Sequence, residues 1–281
     1  MELLLIRHLW GVSGQAEELF PTLKDLGYRG IEAPVPPAKE RERFRELLDR
    51  YGFEFIAQIF TRGKSVGEHL ESFRQQINEA KFLRPRLINA HSGRDAWDDA
   101  EAARFFEQAL PIEAGEGMAV AHETHRGRVF FNPWVTRRML ARYDDLKLCC
   151  DFSHWVCVSE RLLDDEIEIL QQAAWHCLHL HARVGYEEGP QVPDPRAPEY
   201  QGHLAAHERW WRMIWDAQAA RGFAYTTLTP EFGPPAYLHT LPFSNVPVSD
   251  LWEICNWQAQ RQAENFRRRP PRLTPGQSYN I

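Results

Sequence analysis

The sequence predicts an α/β protein: one (β/α)8 TIM barrel over residues 1–266, followed by a C-terminal extended arm over residues 267–281. Three observations predict it. Eight short apolar runs alternate with stripes at helical spacing along the whole chain, and a parallel sheet needs a crossover after every strand. The 281 residues, 43% of them hydrophobic, suffice for one large core and match one barrel better than two small domains. Ionisable residues recur where the later apolar runs give way to polar turns, and a barrel gathers those strand ends on one face.

Strands are expected at residues 3–8, 30–33, 53–60, 86–91, 118–123, 146–151, 177–181 and 223–231. Between them lie helical stripes: Ala16, Leu19, Leu23 and Leu26; then Phe44, Leu47, Leu48 and Tyr51; then Leu70, Phe73, Ile77 and Ala80; then Leu163, Ile167, Leu170 and Ala174. Trp211, Ile214 and Trp215 mark the helix before the eighth strand, and Leu251, Ile254 and Cys255 the one after it. Pro21 falls inside the first stripe, which predicts a kink or a helix that begins near Phe20. Residues 185–199, after the seventh strand, are too long and proline-rich for a plain connection and form a candidate active-site loop. Residues 232–247 carry Tyr237, His239 and Phe243 between prolines and leave the eighth strand on the same face.

The net charge of -6 and pI near 6.1 argue against a broad footprint for nucleic acid. No run approaches membrane-spanning length. The first apolar run is led by Glu2 and followed by no small-residue cleavage signal, so it reads as a strand and not a signal peptide. Five cysteines, two of them adjacent at Cys149 and Cys150, resemble neither a disulfide framework nor paired zinc knuckles. A reducing cytoplasm is the expected compartment. The arm has two readings of equal weight, a disordered tail and a segment packed on the second subunit of a homodimer.

Four positions carry the chemistry. Glu123 lies two residues beyond Ala121 and shares its side of the fifth strand; buried there, it needs either an arginine or a cation. Asp151 ends the sixth strand with His154 three residues on; capping the next helix is the common use of such an Asp, and the D-x-x-H pairing points to a site. His179, His181 and Arg183 share one face of the seventh strand, a costly arrangement unless they coordinate or hydrogen-bond something. Glu231 ends the eighth strand between Pro230 and Phe232-Gly233-Pro234. Glu123, Asp151, His181 and Glu231 together supply three carboxylates and one imidazole, a donor set for one divalent metal ion.

The motifs His122-Glu123-Thr124, Asp151-Phe152-Ser153-His154, His179-Leu180-His181 and Pro230-Glu231-Phe232, with Gly27-Tyr28-Arg29-Gly30-Ile31-Glu32 at the second strand, carry a resemblance. The chain resembles the xylose isomerase-like barrel superfamily of sugar isomerases and epimerases, which also holds inosose dehydratases and endonuclease IV. The resemblance implies one divalent ion held by Glu123, Asp151, His181 and Glu231. An oxygen-rich set favours Mn²⁺, Mg²⁺ or Co²⁺, with Zn²⁺ less favoured. It also implies that the ion polarises a substrate carbonyl and stabilises the enediolate, while Glu123 and Glu231 remove and return the proton from opposite faces. His154 is similar to the family histidine that meets a substrate oxygen, and Arg183 to a cation that neutralises an anionic intermediate.

Two departures stand out. Val129 and Glu187 replace the Glu and Arg with which the ketose 3-epimerases bind substrate, so that recognition does not transfer. His8, Trp10, His91, Arg94 and Trp97 are candidate pocket walls, with packing or surface exposure as the alternative for each. The function expected is a metal-dependent isomerase or epimerase of a small sugar-like carbonyl compound. The alternatives are a dehydratase of the inosose type, a phosphodiesterase that the acidic balance disfavours, and a noncatalytic sugar-binding barrel.

Overall fold

A computed structural model describes residues 1–271. All eight expected strands form: β1 (Glu2–His8), β2 (Gly30–Pro34), β3 (Glu54–Phe60), β4 (Leu87–His91), β5 (Val120–Glu123), β6 (Leu148–Cys150), β7 (Cys177–His181) and β8 (Tyr225–Thr229). Each pairs in parallel with its sequence neighbour, and β8 returns to β1, so the sheet closes into a barrel. The helices are α1 (Ala16–Asp25), α2 (Ala38–Tyr51), α3 (Val66–Lys81), α4 (Asp99–Glu116), α5 (Pro133–Leu140), α6 (Phe152–Ser159), α7 (Ile167–His176), α8 (Gln201–Ala220) and α9 (Leu251–Arg268). Two of them, α6 and α7, occupy the crossover from β6 to β7. No helix among the described residues is long and apolar enough to cross a membrane.

Two expectations need correction. Helix α1 begins at Ala16, not near Phe20, and runs through Pro21. Pro21 lies in the second turn, where its missing N–H deprives only the Glu17 carbonyl, and the burial of Phe20 and Leu23 holds the helix in place. The boundary expected at residue 267 falls inside a helix, because Arg267 and Arg268 form the last turn of α9, where cations favour a helix C-terminus. Residues 272–281 lie outside the described part.

The strand pleat sets the site. Leu4, Ile6, Ile56, Leu87, Ala121 and Cys149 form a small apolar plug inside the barrel. Five of these are followed two residues later by a buried polar side chain: His8 after Ile6, Gln58 after Ile56, Asn89 after Leu87, Glu123 after Ala121, Asp151 after Cys149. Period-two alternation therefore stacks a polar layer directly on an apolar one. The outward residues of the barrel strands, such as Phe55, Ile88, Leu148 and Leu228, pack under the helices in the main core, each burial worth about 1.5–3 kcal/mol.

Candidate active site

Strand ends and short loops bring Glu123, Asp151, His181 and Glu231 together. One ligand-capable atom from each lies within 4.8 Å of the other three, and all four residues are buried. His181 Nδ1 stands 2.9 Å from Glu231 Oε2 and 3.9 Å from both Glu123 Oε1 and Asp151 Oδ2. Yet His181 Nδ1, Glu123 Oε1 and Glu231 Oε2 make no hydrogen bond of good geometry, although His181 and Glu231 stand at ion-pair distance. Three such atoms gathered within 4.8 Å of one another fit a cation, since leaving such groups buried and unmade costs about 1–3 kcal/mol each.

Each member is held from behind. Glu32, on β2, accepts from His181 Nε2 at 3.0 Å, from His179 Nε2 at 3.1 Å, from Asn89 Nδ2 at 3.0 Å and from Thr229 Oγ1 at 2.6 Å. That fixes the His181 tautomer with its proton on Nε2 and leaves Nδ1 for a cation. Asn89 also donates to Glu123 Oε2 at 2.7 Å and so ties the two acids together. Asp151 serves both of its expected roles: it caps α6 by accepting from Ser153 N at 3.0 Å, and its other oxygen receives Arg183 Nη2. Gly185 makes this approach feasible, for a Cβ there would sit 2.6 Å from the Ser153 carbonyl oxygen.

Arg183 lines the mouth, donates from Nε to Ser153 Oγ at 3.1 Å, lies 3.2 Å from Glu231 Oε2 and stacks under Tyr237 at 5.1 Å. His154 is fully buried beside it, with Nε2 2.7 Å from Arg183 Nη2, and does not itself line the cavity. His8 accepts from Trp10 N at 2.7 Å through Nδ1, which turns Nε2 toward Glu231 Oε1, 3.4 Å away.

The charges follow from these contacts. Burial opposes ionisation of Glu231, but His181 and Arg183 outweigh it and bring its pKa down to about 2. Burial raises Asp151 to about 6 against the pull of Arg183. Burial also opposes the imidazolium of His181, yet the surrounding carboxylates hold it well above the usual range, so a proton takes the place that a cation would take.

A cavity of about 380 Å³ opens over the cluster, lined by Glu231 and Arg183 together with His8, Trp10, His91 and Tyr237. The expected walls His8, Trp10 and His91 therefore face it. Arg94 is exposed and Trp97 packs against His69 and Phe105, so neither does. Residues 185–199 reach the region but are fastened to the segment after β8: Gln191 and Gly233 exchange two hydrogen bonds, and Tyr186 Oη meets His239 Nε2 at 3.2 Å. Of the three aromatics expected there, only Tyr237 lines the cavity, and Phe243 is exposed. The departures from the epimerase pattern have structural uses: Val129 is buried against Gly93, and Glu187 pairs with His203. Sequence reasoning missed Glu32, Asn89, His125 and Arg128. Only Glu32 left a trace, as the last residue of its motif.

No curated protein matches the chain by sequence. Among solved structures, a xylose isomerase-like TIM barrel protein from Mycobacterium smegmatis in complex with magnesium superposes with a TM-score of 0.62 at 12% identity, covering 92% of this chain and 95% of its own. The 3-keto-D-glucoside 4-epimerase of E. coli, in its apo form, gives 0.61 at 10% identity over 94% and 100%. The probable 3-DHS dehydratase of petrobactin synthesis from Bacillus anthracis gives 0.60 at 16% identity over 94% and 99%. At these identities the likeness is one of fold. The family model described as xylose isomerase-like TIM barrel matches residues 20–214, and with the closed eight-stranded barrel this makes the chain a member of the xylose isomerase-like TIM barrel family.

Proposed function

We propose that the protein is a divalent-metal-dependent isomerase or epimerase of a sugar or related polyhydroxy carbonyl compound, with Glu123, Asp151, His181 and Glu231 as the ligands. The observation that carries this reading is the convergence of His181 Nδ1, Glu123 Oε1 and Glu231 Oε2, buried and without hydrogen bonds, beside Asp151. The three carboxylates favour Mn²⁺, Mg²⁺ or Co²⁺ over Zn²⁺. A bound ion supplies a Lewis acid that acidifies the C–H next to a carbonyl.

The chain's own residues do the rest. Glu231, ionised and on the cavity wall, takes the proton. Glu123, held by Asn89 and with His91 Nε2 2.8 Å from its Oε2, serves the other face. Arg183 stabilises negative charge on the substrate oxygen, and His154 positions Arg183 from behind. Trp10 and Tyr237 exclude water above the reacting carbon.

A dehydratase that starts with the same proton removal is the second reading. His91, on the cavity wall beside Glu123, is placed to protonate a departing hydroxyl. Metal analysis of the purified protein, followed by NMR of a sugar panel in D₂O, tests both. Deuterium next to a carbonyl supports enolisation, loss of water by mass selects the dehydratase, and a remetallated protein that takes up no ion ends the proposal.

A further inference from the structure

The cavity over the cluster holds one cation that forms no ion pair among the described residues, with Glu123 and Asp95 acting on its charge only from beyond contact distance. Arg128, in the segment after β5, lines the cavity and is partly buried. Its Nη1 donates to the carbonyl oxygens of Thr61 at 2.9 Å and of Gly93 at 3.4 Å. Both acceptors are neutral. No carboxylate lies within ion-pairing distance of Arg128 among the described residues, and Nε and Nη2 have no acceptor there. Neither nitrogen is among the buried atoms that lack a partner, so both keep access to solvent on a residue that lines the cavity. Arg183 differs, because Asp151 and Glu231 pair with its Nη2 and Ser153 takes its Nε, which leaves Nη1 alone for a substrate oxygen.

The perch of Arg128 is rigid. Thr61 Oγ1 accepts from Gly93 N at 2.8 Å and bonds His69 Nδ1 at 2.8 Å, locking the loops after β3 and β4 together. Gly93 has φ +63, and a Cβ there would come within 2.4 Å of Val129 and 2.5 Å of Trp97, so only glycine permits the loop to sit beside Arg128. Fastening two loops needs one nitrogen of the guanidinium. The remaining donors form the planar fork that recognises carboxylate and phosphate groups.

Resting on the reading above, we infer that the substrate carries an oxyanion group, a carboxylate or a phosphate ester, away from its reacting carbonyl, and that Arg128 binds it. The cluster takes the carbonyl end, the aromatic wall of Trp10 and Phe60 covers the carbon chain, and the fork of Arg128 takes the charged end.

The experiment is a binding titration of manganese-treated protein with four probes: glucuronate against glucose, and fructose 6-phosphate against fructose. At least one anion is expected to bind roughly 10-fold or more tighter than its neutral parent, with the advantage shrinking as salt rises. Whichever anion gains identifies the group. Arg128→Gln should weaken binding of the anion by more than that of its neutral parent, so that the advantage disappears, and Arg128→Lys should keep part of it. Since Arg128→Gln also frees two loops, its thermal midpoint is measured alongside, and the salt dependence in the unaltered protein provides a reading independent of folding. Equal binding of anions and parents, or an advantage that survives Arg128→Gln, overturns the inference. Binding without deuterium exchange separates the two claims: an anion preference with no enolisation of any sugar leaves Arg128 standing and removes the isomerase reading.

Discussion

Glu32 and Glu231 are both buried acids at the mouth of the same barrel, and their surroundings could hardly differ more. Both oxygens of Glu32 accept hydrogen bonds, from His179, His181, Asn89 and Thr229. Glu231 leaves Oε2 without one, as Glu123 leaves Oε1 and His181 leaves Nδ1. A satisfied buried acid rigidifies its neighbours; an unsatisfied one is a standing cost that the rest of the fold must offset. Glu32 is thus scaffold, and the orphaned atoms opposite are where a ligand or a reaction must act. His181 belongs to both sides, with Nε2 in the scaffold and Nδ1 in the site.

The sharpest way to break this contrast is to neutralise each acid in turn. Glu231→Gln should slow deuterium exchange by roughly 10³-fold or more, since it removes the proposed acid/base and a proposed metal ligand together. Its thermal midpoint should fall less than that of Glu32→Gln. Near-normal exchange in Glu231→Gln, followed by NMR on whichever sugar the unaltered protein exchanges, would refute the assignment. Glu32→Gln should instead destabilise the fold by about 3 kcal/mol, because it strips the partner from two buried histidines. By releasing His181 it should also weaken Mn²⁺ binding by roughly 10–100-fold. Chemical denaturation and a metal titration read the two effects separately, and a variant that is stable and binds Mn²⁺ normally would show Glu32 to be a bystander.

These two acids also mark where the sequence is readable. Glu123, Asp151, His181 and Glu231 stand out because each combines a ligand-type side chain with the end of an apolar run, and parallel strands bring such ends together whatever lies between. Glu32 has the same local look, but its role depends on Asn89, His179 and Thr229, which are 57, 147 and 197 residues away in the chain. Arg128 is harder still, since nothing local says that a loop arginine will face a cavity and keep two nitrogens free. Asp151 shows that the helix cap and the site were never exclusive, because its two oxygens divide the tasks. Pro21 misleads for a physical reason: the rule against proline inside a helix weakens where one lost bond is set against two buried apolar side chains.

Metal addition tests the orphaned side without any mutation. Chelator-treated protein given Mn²⁺ at a hundred times its dissociation constant should gain about 2.7 kcal/mol, seen as a rise in thermal midpoint. The gain should disappear in Asp151→Asn, where one proposed ligand oxygen and the seat of Arg183 are altered together. A midpoint indifferent to Mn²⁺ and Mg²⁺ would mean that the three unpaired atoms await something other than a divalent ion.

The smallest effect lies outside the mouth and calibrates the scaffold side. His207, fully buried on α8, accepts from Gly185 N at 3.3 Å through Nε2, while Nδ1 bonds the His203 carbonyl at 2.8 Å. Burial lowers its pKa to about 4. In the unfolded chain the ring titrates near 6.5, so as pH falls below that value the unfolded state takes up the proton first. Stability is therefore unaffected above about pH 7, declines as pH falls from about 6.5 to about 4, and levels off below. The loss from this one ring amounts to about 2 kcal/mol by pH 5. His207→Gln removes that contribution but leaves every other titrating group in place, so the difference between the two proteins in unfolding free energy, read from urea titrations, should narrow by that amount from pH 7 to pH 5. Parallel pH profiles would mean that water reaches the ring. Gly185, which His207 holds and which lets Ser153 approach, would then be positioned by its own close packing alone.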